Sequence, residues 1–78
     1  MTRAALVQVA TLDARALGRA LAARRGHLGL SQLDVARRAG LSGGHVSMIE
    51  GGRGCRLATL ARLIAALGGT LDVPEDGA

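Results

Sequence analysis

The sequence predicts an all-α domain of four to five short helices, and three observations lead to this fold class. Apolar residues make up 49% of the 78 residues, and in several segments they recur at helical spacing. Residues that cap helices precede these segments, and glycines follow them. The chain is long enough for one domain at most, and because it has no Phe, Tyr or Trp, its core must consist of Leu, Val, Ile and Ala.

The first helix is predicted from Leu12 to Arg25, a segment rich in Ala, Leu and Arg in which two leucines stand four residues apart. Thr11 is a suitable N-cap, and Asp13 in the first turn favours the helix dipole. Gly18 inside this helix costs up to about 1 kcal/mol relative to Ala. We therefore expect another backbone to approach closely at Gly18.

Two shorter helices follow the segment GHLGL. Ser31 is placed to cap helix 2, which we expect from Gln32 to Ala39. Gly40 fits the left-handed residue that ends a helix. Ser42 is placed to cap helix 3, which is expected from Gly43 to about Glu50, and residues 51–54 are predicted to form a loop.

Helix 4 is predicted from about Leu57 to Leu67 and is ended by Gly68 and Gly69. Its apolar residues form a stripe at helical spacing that we expect to face the core: Leu57, Leu60, Leu63, Ile64 and Leu67.

The two ends of the chain are assigned apart from the helical domain, which spans residues 11–69. Residues 1–10 contain ALVQVA, which fits either a short strand or an arm. Residues 70–73 alternate and predict a short strand that Pro74 stops, so residues 70–78 form a strand and an acidic tail. The fold class therefore leaves room for short terminal β-strands.

Positive charge is concentrated in the body of the chain. Residues 1–71 carry ten Arg and a net charge of +7, whereas the tail from Asp72 carries −3. A basic body of this kind favours an anionic partner, although solubility alone also explains it.

Several classes of function find no support in the sequence. Cys55 is the only cysteine, so no intrachain disulfide can form, and with His27 and His45 it gives no metal-ligand spacing. There is no apolar run of the about 20 residues that a membrane span needs. Paired carboxylates, a nucleophile with a base and a phosphate loop are also missing, so we expect no enzyme, no cofactor and no metal, in a cytoplasmic protein.

The most specific pattern is SQLDVARRAGLSGGHVSMIEGGRG (31–54), which joins helices 2 and 3 across a three-residue turn. Ala36 is small where helix 3 crosses it, and Gly40 stands where the chain reverses with positive φ. We expect four apolar residues to hold the two helices at a fixed angle: Val35, Leu41, Val46 and Ile49.

This segment resembles the helix-turn-helix of the Cro/phage-repressor-like (Xre) family of DNA-binding regulators, and LATLARLIAALG (57–68) resembles the helix that follows it there. The resemblance covers about residues 12–69. It implies a lambda-repressor-like bundle that binds double-stranded DNA, usually as a homodimer on inverted half-sites. The alternative is a helical hairpin that acts through protein contacts.

The resemblance also implies which residues contact DNA, because it places helix 3 in the major groove and the N-terminus of helix 2 against the phosphates. The base-reading candidates are Ser42, Gly43, Gly44, His45, Ser47 and Met48. The phosphate candidates are Gln32, Arg25, Arg37, Arg38, Arg53 and Arg56. A solvated helix face explains Arg37 and Arg38 equally well.

Arg25 and Glu50 match a pair of family positions that meet as an ion pair. Since a surface ion pair contributes little to stability by itself, we expect this pair either to hold Arg25 near the DNA backbone or to bridge helices 1 and 3. Cys55 is expected to be a small loop residue; a redox-sensing thiol with a pKa lowered by Arg53 and Arg56 is the alternative.

The sequence departs from the family at Gly43 and Gly44, where longer polar residues often stand. A good bidentate contact to a base is worth about 1–3 kcal/mol of discrimination, and two such opportunities are missing. Base reading then depends on His45, Ser47 and Met48, or the glycines let the helix backbone approach DNA closely.

Taken with the resemblance, these observations predict a sequence-specific repressor that acts as a homodimer, controls its own gene and associates with the nucleoid. Dimer contacts are expected either through helix 4 and the loop after it or through the terminal strands. The alternative function is an antitoxin or another interaction module that binds a partner protein such as a cognate toxin.

Overall fold

The computed structural model describes residues 13–69, and within that range the chain is all-α, as predicted. A single π-helical turn, Ile49–Arg53, continues the third helix. The residues described include no β-strand, and the terminal strands, the arm and the acidic tail predicted from the sequence lie outside them. The helices are α1 (Ala14–His27), α2 (Gln32–Ala39), α3 (Gly43–Met48) and α4 (Leu57–Ala66).

The start of α1 differs from the prediction. Asp13 was expected in the first turn, but it is the N-cap, and its Oδ1 accepts the backbone N–H of Arg15 at 2.9 Å. A carboxylate that caps a helix satisfies one of the N–H groups left without a partner in the first turn. Thr11, the predicted cap, lies outside the described residues. The helix also runs two residues beyond the predicted end, to His27.

The ends of α2 follow directly from its sequence. The Ser31 Oγ accepts the N–H of Asp34 at 3.0 Å, and the Asp34 carboxylate accepts the N–H of Ser31 at 2.8 Å, which together form a capping box. Gly40 ends the helix in the left-handed conformation, with φ 70° and ψ 36°. The N–H of Leu41 then donates to the carbonyl of Ala36 at 2.8 Å and sets the turn into α3.

Helix α3 starts as predicted, with the Ser42 Oγ accepting the N–H of His45 at 3.0 Å. Its end does not agree with the prediction. The α-helical part stops at Met48, and Glu50 lies in the wider π-helical turn. Gly52 has a φ of 102° inside this turn, a conformation that L side chains rarely adopt. The helical path is therefore broken at Gly52, inside the predicted loop 51–54.

Helix α1 crosses the chain closely at Gly18, as its sequence predicted. A Cβ at position 18 would lie 2.6 Å from the carbonyl oxygen of Ile49 and 2.5 Å from that of Glu50. Only glycine allows this backbone contact. The cost of glycine in a helix is thus offset by a close junction between α1 and the end of α3.

The core is aliphatic, and α1, α2, α3 and α4 all contribute to it. One predicted core residue is wrong: Leu57 is 42% exposed. It is the first residue of α4, and core packing begins one turn later, at Leu60. The buried apolar residues are Leu17, Leu21, Val35, Ala36, Ala39, Val46, Ile49, Leu60, Leu63, Ile64, Ala66 and Leu67.

Candidate nucleic-acid interface

One face of α3 is exposed along its whole length. Val46 and Ile49 are each 1% exposed and anchor the opposite face in the core. With six α-helical residues, α3 depends on this anchoring and on the Ser42 cap for its stability. Gly43 is half-buried, and the other base-reading candidates lie on the exposed side: Ser42, Gly44, His45, Ser47 and Met48.

The fold does not require glycine at position 43 or 44. Neither residue has a positive φ. A Cβ at Gly43 would make an ordinary contact, 3.8 Å from Leu33 Cδ1, and a Cβ at Gly44 would have nothing within 4 Å. Since Ala would stabilise a helix at either position, the absence of side chains is a property of the exposed surface and is not imposed by packing.

Two large apolar side chains in this region are about half exposed to solvent. Leu33 on α2 is 50% exposed and adjoins Gly43, and Met48 on α3 is 49% exposed. Apolar groups of this kind contact the methyl group of thymine in the major groove. Met48 was predicted to read bases, and Leu33 was not among the predicted residues. The signal that identifies Leu33 is its position beside Gly43, which has no side chain.

A hydrogen-bonded network joins α1, α2 and the π-helical turn at the base of this surface. Arg25 donates to the two carboxylate oxygens of Glu50, from Nε at 2.7 Å and from Nη2 at 3.0 Å. Its Nη1 donates to the carbonyl of Leu30 at 2.9 Å. The Nε2 of Gln32 donates to Glu50 Oε1 at 3.0 Å. Arg25 and Glu50 are therefore connected to both neighbouring segments.

This ion pair is partly buried, whereas a surface pair was expected from the sequence. The Arg25 side chain is 21% exposed and that of Glu50 only 9%. Burial raises the pKa of Glu50, but the hydrogen bonds from Arg25 and Gln32 and the charge of Arg25 outweigh it, so the pKa of Glu50 is lowered. The hydrogen bond to Glu50 raises the pKa of Arg25. The ion pair forms a bridge between α1 and the end of α3, and its role beside the DNA backbone stays a prediction.

The remaining phosphate candidates are exposed and lie on both sides of α3 in the sequence. Arg37 and Arg38 stand in the last turn of α2. Arg53 is the last residue of the π-helical turn, and Arg56 precedes α4 as its N-cap. No carboxylate among residues 13–69 forms an ion pair with these four side chains. Within the described residues, these four charges are therefore not neutralised by an ion pair.

A comparison with protein families matches residues 16–75 to the family described as "Helix-turn-helix domain". This match covers α2, α3 and the turn between them, whose geometry is given above. The chain belongs to this helix-turn-helix family. Searches of curated proteins and of solved structures gave no match. The helix-turn-helix protein is thereby assigned to DNA binding, a function associated with regulation of transcription.

The single cysteine of the helix-turn-helix protein lies beside the core. Cys55 is half-buried and packs against the core. Burial raises the pKa of its thiol. The direction of this shift is opposite to the lowered pKa that the redox alternative requires.

Across residues 13–69, no three His, Cys, Asp or Glu side chains are grouped so that they could hold a metal ion. None of the helices in this same range combines the length and apolar character that a membrane crossing requires.

Proposed function

We propose that the protein is a sequence-specific transcriptional repressor of the Cro/phage-repressor-like type, which binds inverted-repeat operator DNA as a homodimer and controls its own gene. One observation carries this proposal. The outer face of α3 is exposed along its length, while Val46 and Ile49 fix the helix to the core. A helix held in this way can enter the major groove without rearrangement.

Base recognition in this proposal depends on a small number of side chains. His45 offers a ring nitrogen to a base edge, Ser47 offers a hydroxyl group, and Met48 offers an apolar contact to a thymine methyl group. Gly44 presents backbone alone. With few direct contacts, the shape of the groove contributes a large part of the specificity.

Phosphate contacts position the helix. The candidate arginines are exposed on α2, at the end of the π-helical turn and before α4. Gln32 has one side-chain N–H on Glu50, and its second N–H remains for a phosphate oxygen. These contacts carry no sequence information, but they set affinity and orientation.

Two copies are needed because one short helix contacts only a few base pairs. A two-fold dimer places two copies of α3 in successive major grooves, about 34–36 Å apart. The exposed side chain of Leu57 at the start of α4 supports dimer contacts through the C-terminal part of the described chain. Light scattering on the purified full chain tests this state and should give twice the monomer mass.

The proposal is tested by binding to the DNA upstream of the protein's own gene, with a scrambled fragment of the same length and composition as the control. Binding should be about 10³-fold or more tighter for the upstream fragment, and it should weaken steeply with salt. Equal affinity for both fragments at every salt concentration would exclude a sequence-specific repressor.

A second candidate function is that of an antitoxin or interaction module that binds a partner protein. The exposed apolar side chains support it: Leu28, Leu33, Met48 and Leu57. The gene next to this one identifies the partner to test, and co-expression followed by co-purification is the measurement. Specific binding to the upstream DNA without any partner separates the repressor from this alternative.

A further inference from the structure

The first turn of α1 lies directly on the turn that follows α3. A Cβ at Gly52 would stand 2.8 Å from Arg15 Cγ and 3.4 Å from Arg15 Cα. At Gly54, a Cβ would stand 3.4 Å from the Cβ of Ala14. The stem of Arg15 therefore occupies the space that a side chain at position 52 would fill.

Because position 52 is a glycine, the side chain of Arg15 can lie against this turn. The φ of 102° at Gly52 is one that L side chains rarely adopt, and the absence of a side chain leaves room for the aliphatic part of Arg15. Long arginine stems commonly pack on a surface while the charged group remains in water. Arg15 is an exposed residue, and the Cγ of its side chain lies against this turn.

This arrangement places three arginines around one turn. Arg53 directly follows Gly52, and Arg56 lies three residues further on; both are exposed. The nearby carboxylate of Asp13 is engaged as the cap of α1. Within residues 13–69, none of these three arginines has an ion-pair partner.

We propose that Arg15 contacts a phosphate of the DNA backbone, together with Arg53, where the chain leaves the major groove. The inference rests on the proposed function, because it requires α3 to lie in the groove. The turn 49–53 follows α3 without a break, so it is the first segment to meet the flanking phosphates. Guanidinium groups are well suited to phosphate because they donate two parallel hydrogen bonds.

The test compares salt dependence in four full-length proteins: wild type, Arg15→Gln, Arg15→Lys and the matched control Arg62→Gln. Arg62 is exposed on α4 and carries the same charge. The plot of log K against log salt concentration has a negative slope, and loss of one phosphate contact makes it less steep by about 0.9. Between about 50 and 200 mM salt, Arg15→Gln should therefore lose about 3.5-fold less affinity than wild type does.

Each outcome supports or overturns the inference. A reduced slope in Arg15→Gln, with near wild-type slopes in Arg15→Lys and Arg62→Gln, supports it. An unchanged slope in Arg15→Gln, or an equal reduction in Arg62→Gln, overturns it while the proposed function stands. Wild-type protein without sequence-specific binding overturns both. Far-ultraviolet circular dichroism checks that each variant is folded. If Arg15→Gln does not fold, Arg15→Met, which removes the charge and keeps the aliphatic stem on Gly52, is judged by the same two outcomes.

Discussion

Gly18 and Glu50 meet backbone to backbone: a Cβ at position 18 would lie 2.5 Å from the Glu50 carbonyl oxygen. Through this contact, α1 fixes the end of the helix that we propose enters the major groove. Seven residues after Gly18 in α1, Arg25 forms an ion pair with Glu50 that joins the same two segments. The position of α3 is thus set by a backbone contact and a side-chain network, and Glu50 takes part in both.

Replacement of Gly18 by Ala should destabilise the protein. The added methyl group would lie under 3.0 Å from backbone atoms of Ile49 and Glu50, which cannot move as a flexible side chain can. Overpacking of this kind costs about 1–3 kcal/mol, which exceeds the gain of up to about 1 kcal/mol in helix propensity. Urea unfolding followed by circular dichroism measures the difference.

Gly26→Ala is the matched control, because Gly26 is also in α1 and a Cβ there would have nothing within 4 Å. This variant should be as stable as wild type or more stable, by up to about 1 kcal/mol. Similar effects of the two substitutions would contradict the close contact at Gly18.

The sequence was sufficient to predict those elements whose signals are local. Ser31, Gly40 and Ser42 determine the ends of α2 and the start of α3 through hydrogen bonds within a few residues. The end of α3 was not predictable in this way, because its π-helical turn is held by contacts with α1. The burial of Glu50 and the position of Arg15 on Gly52 also depend on residues distant in sequence.

The stability of the protein should fall at acid pH, partly through Glu50. Its pKa is lowered in the folded state from an ordinary value of 4.5, so the unfolded chain binds the proton more readily. The contribution of the ion pair is fully present above this value and is lost as pH falls through the folded pKa. Glu50→Gln should cost about 1.5–3 kcal/mol at neutral pH and much less at about pH 3. An equal cost at both pH values would contradict this assignment.

The thiol of Cys55 should react slowly. Burial raises its pKa from an ordinary value of 9.0, so less thiolate is present at any given pH than in an exposed cysteine. The rate of reaction with a chromogenic disulfide, measured in the native protein and in urea, should be lower in the native protein across the pH range. A faster native reaction would restore the redox hypothesis.

Arg53 and His45 should separate affinity from specificity. Arg53→Ala removes a proposed phosphate contact and should weaken binding to upstream and scrambled DNA by the same factor. His45→Ala should instead change the preferred sequence, by about 1–3 kcal/mol at the base pairs it contacts. Selection from a randomised DNA pool measures both effects. Unchanged preference in His45→Ala would exclude direct base reading by this side chain.

Gly44→Ala should affect folding and DNA binding in opposite directions. A Cβ at Gly44 lies in open space, so Ala should stabilise α3 by up to about 1 kcal/mol, less if the first turn gains little. If the helix backbone lies close to the base edges, the same methyl group separates the two surfaces and weakens operator binding. Urea unfolding and operator binding are measured on the same preparations, with Gly26→Ala as the control that should change stability alone. Stronger operator binding by the stabilised variant would show that the backbone of α3 does not approach the groove at Gly44.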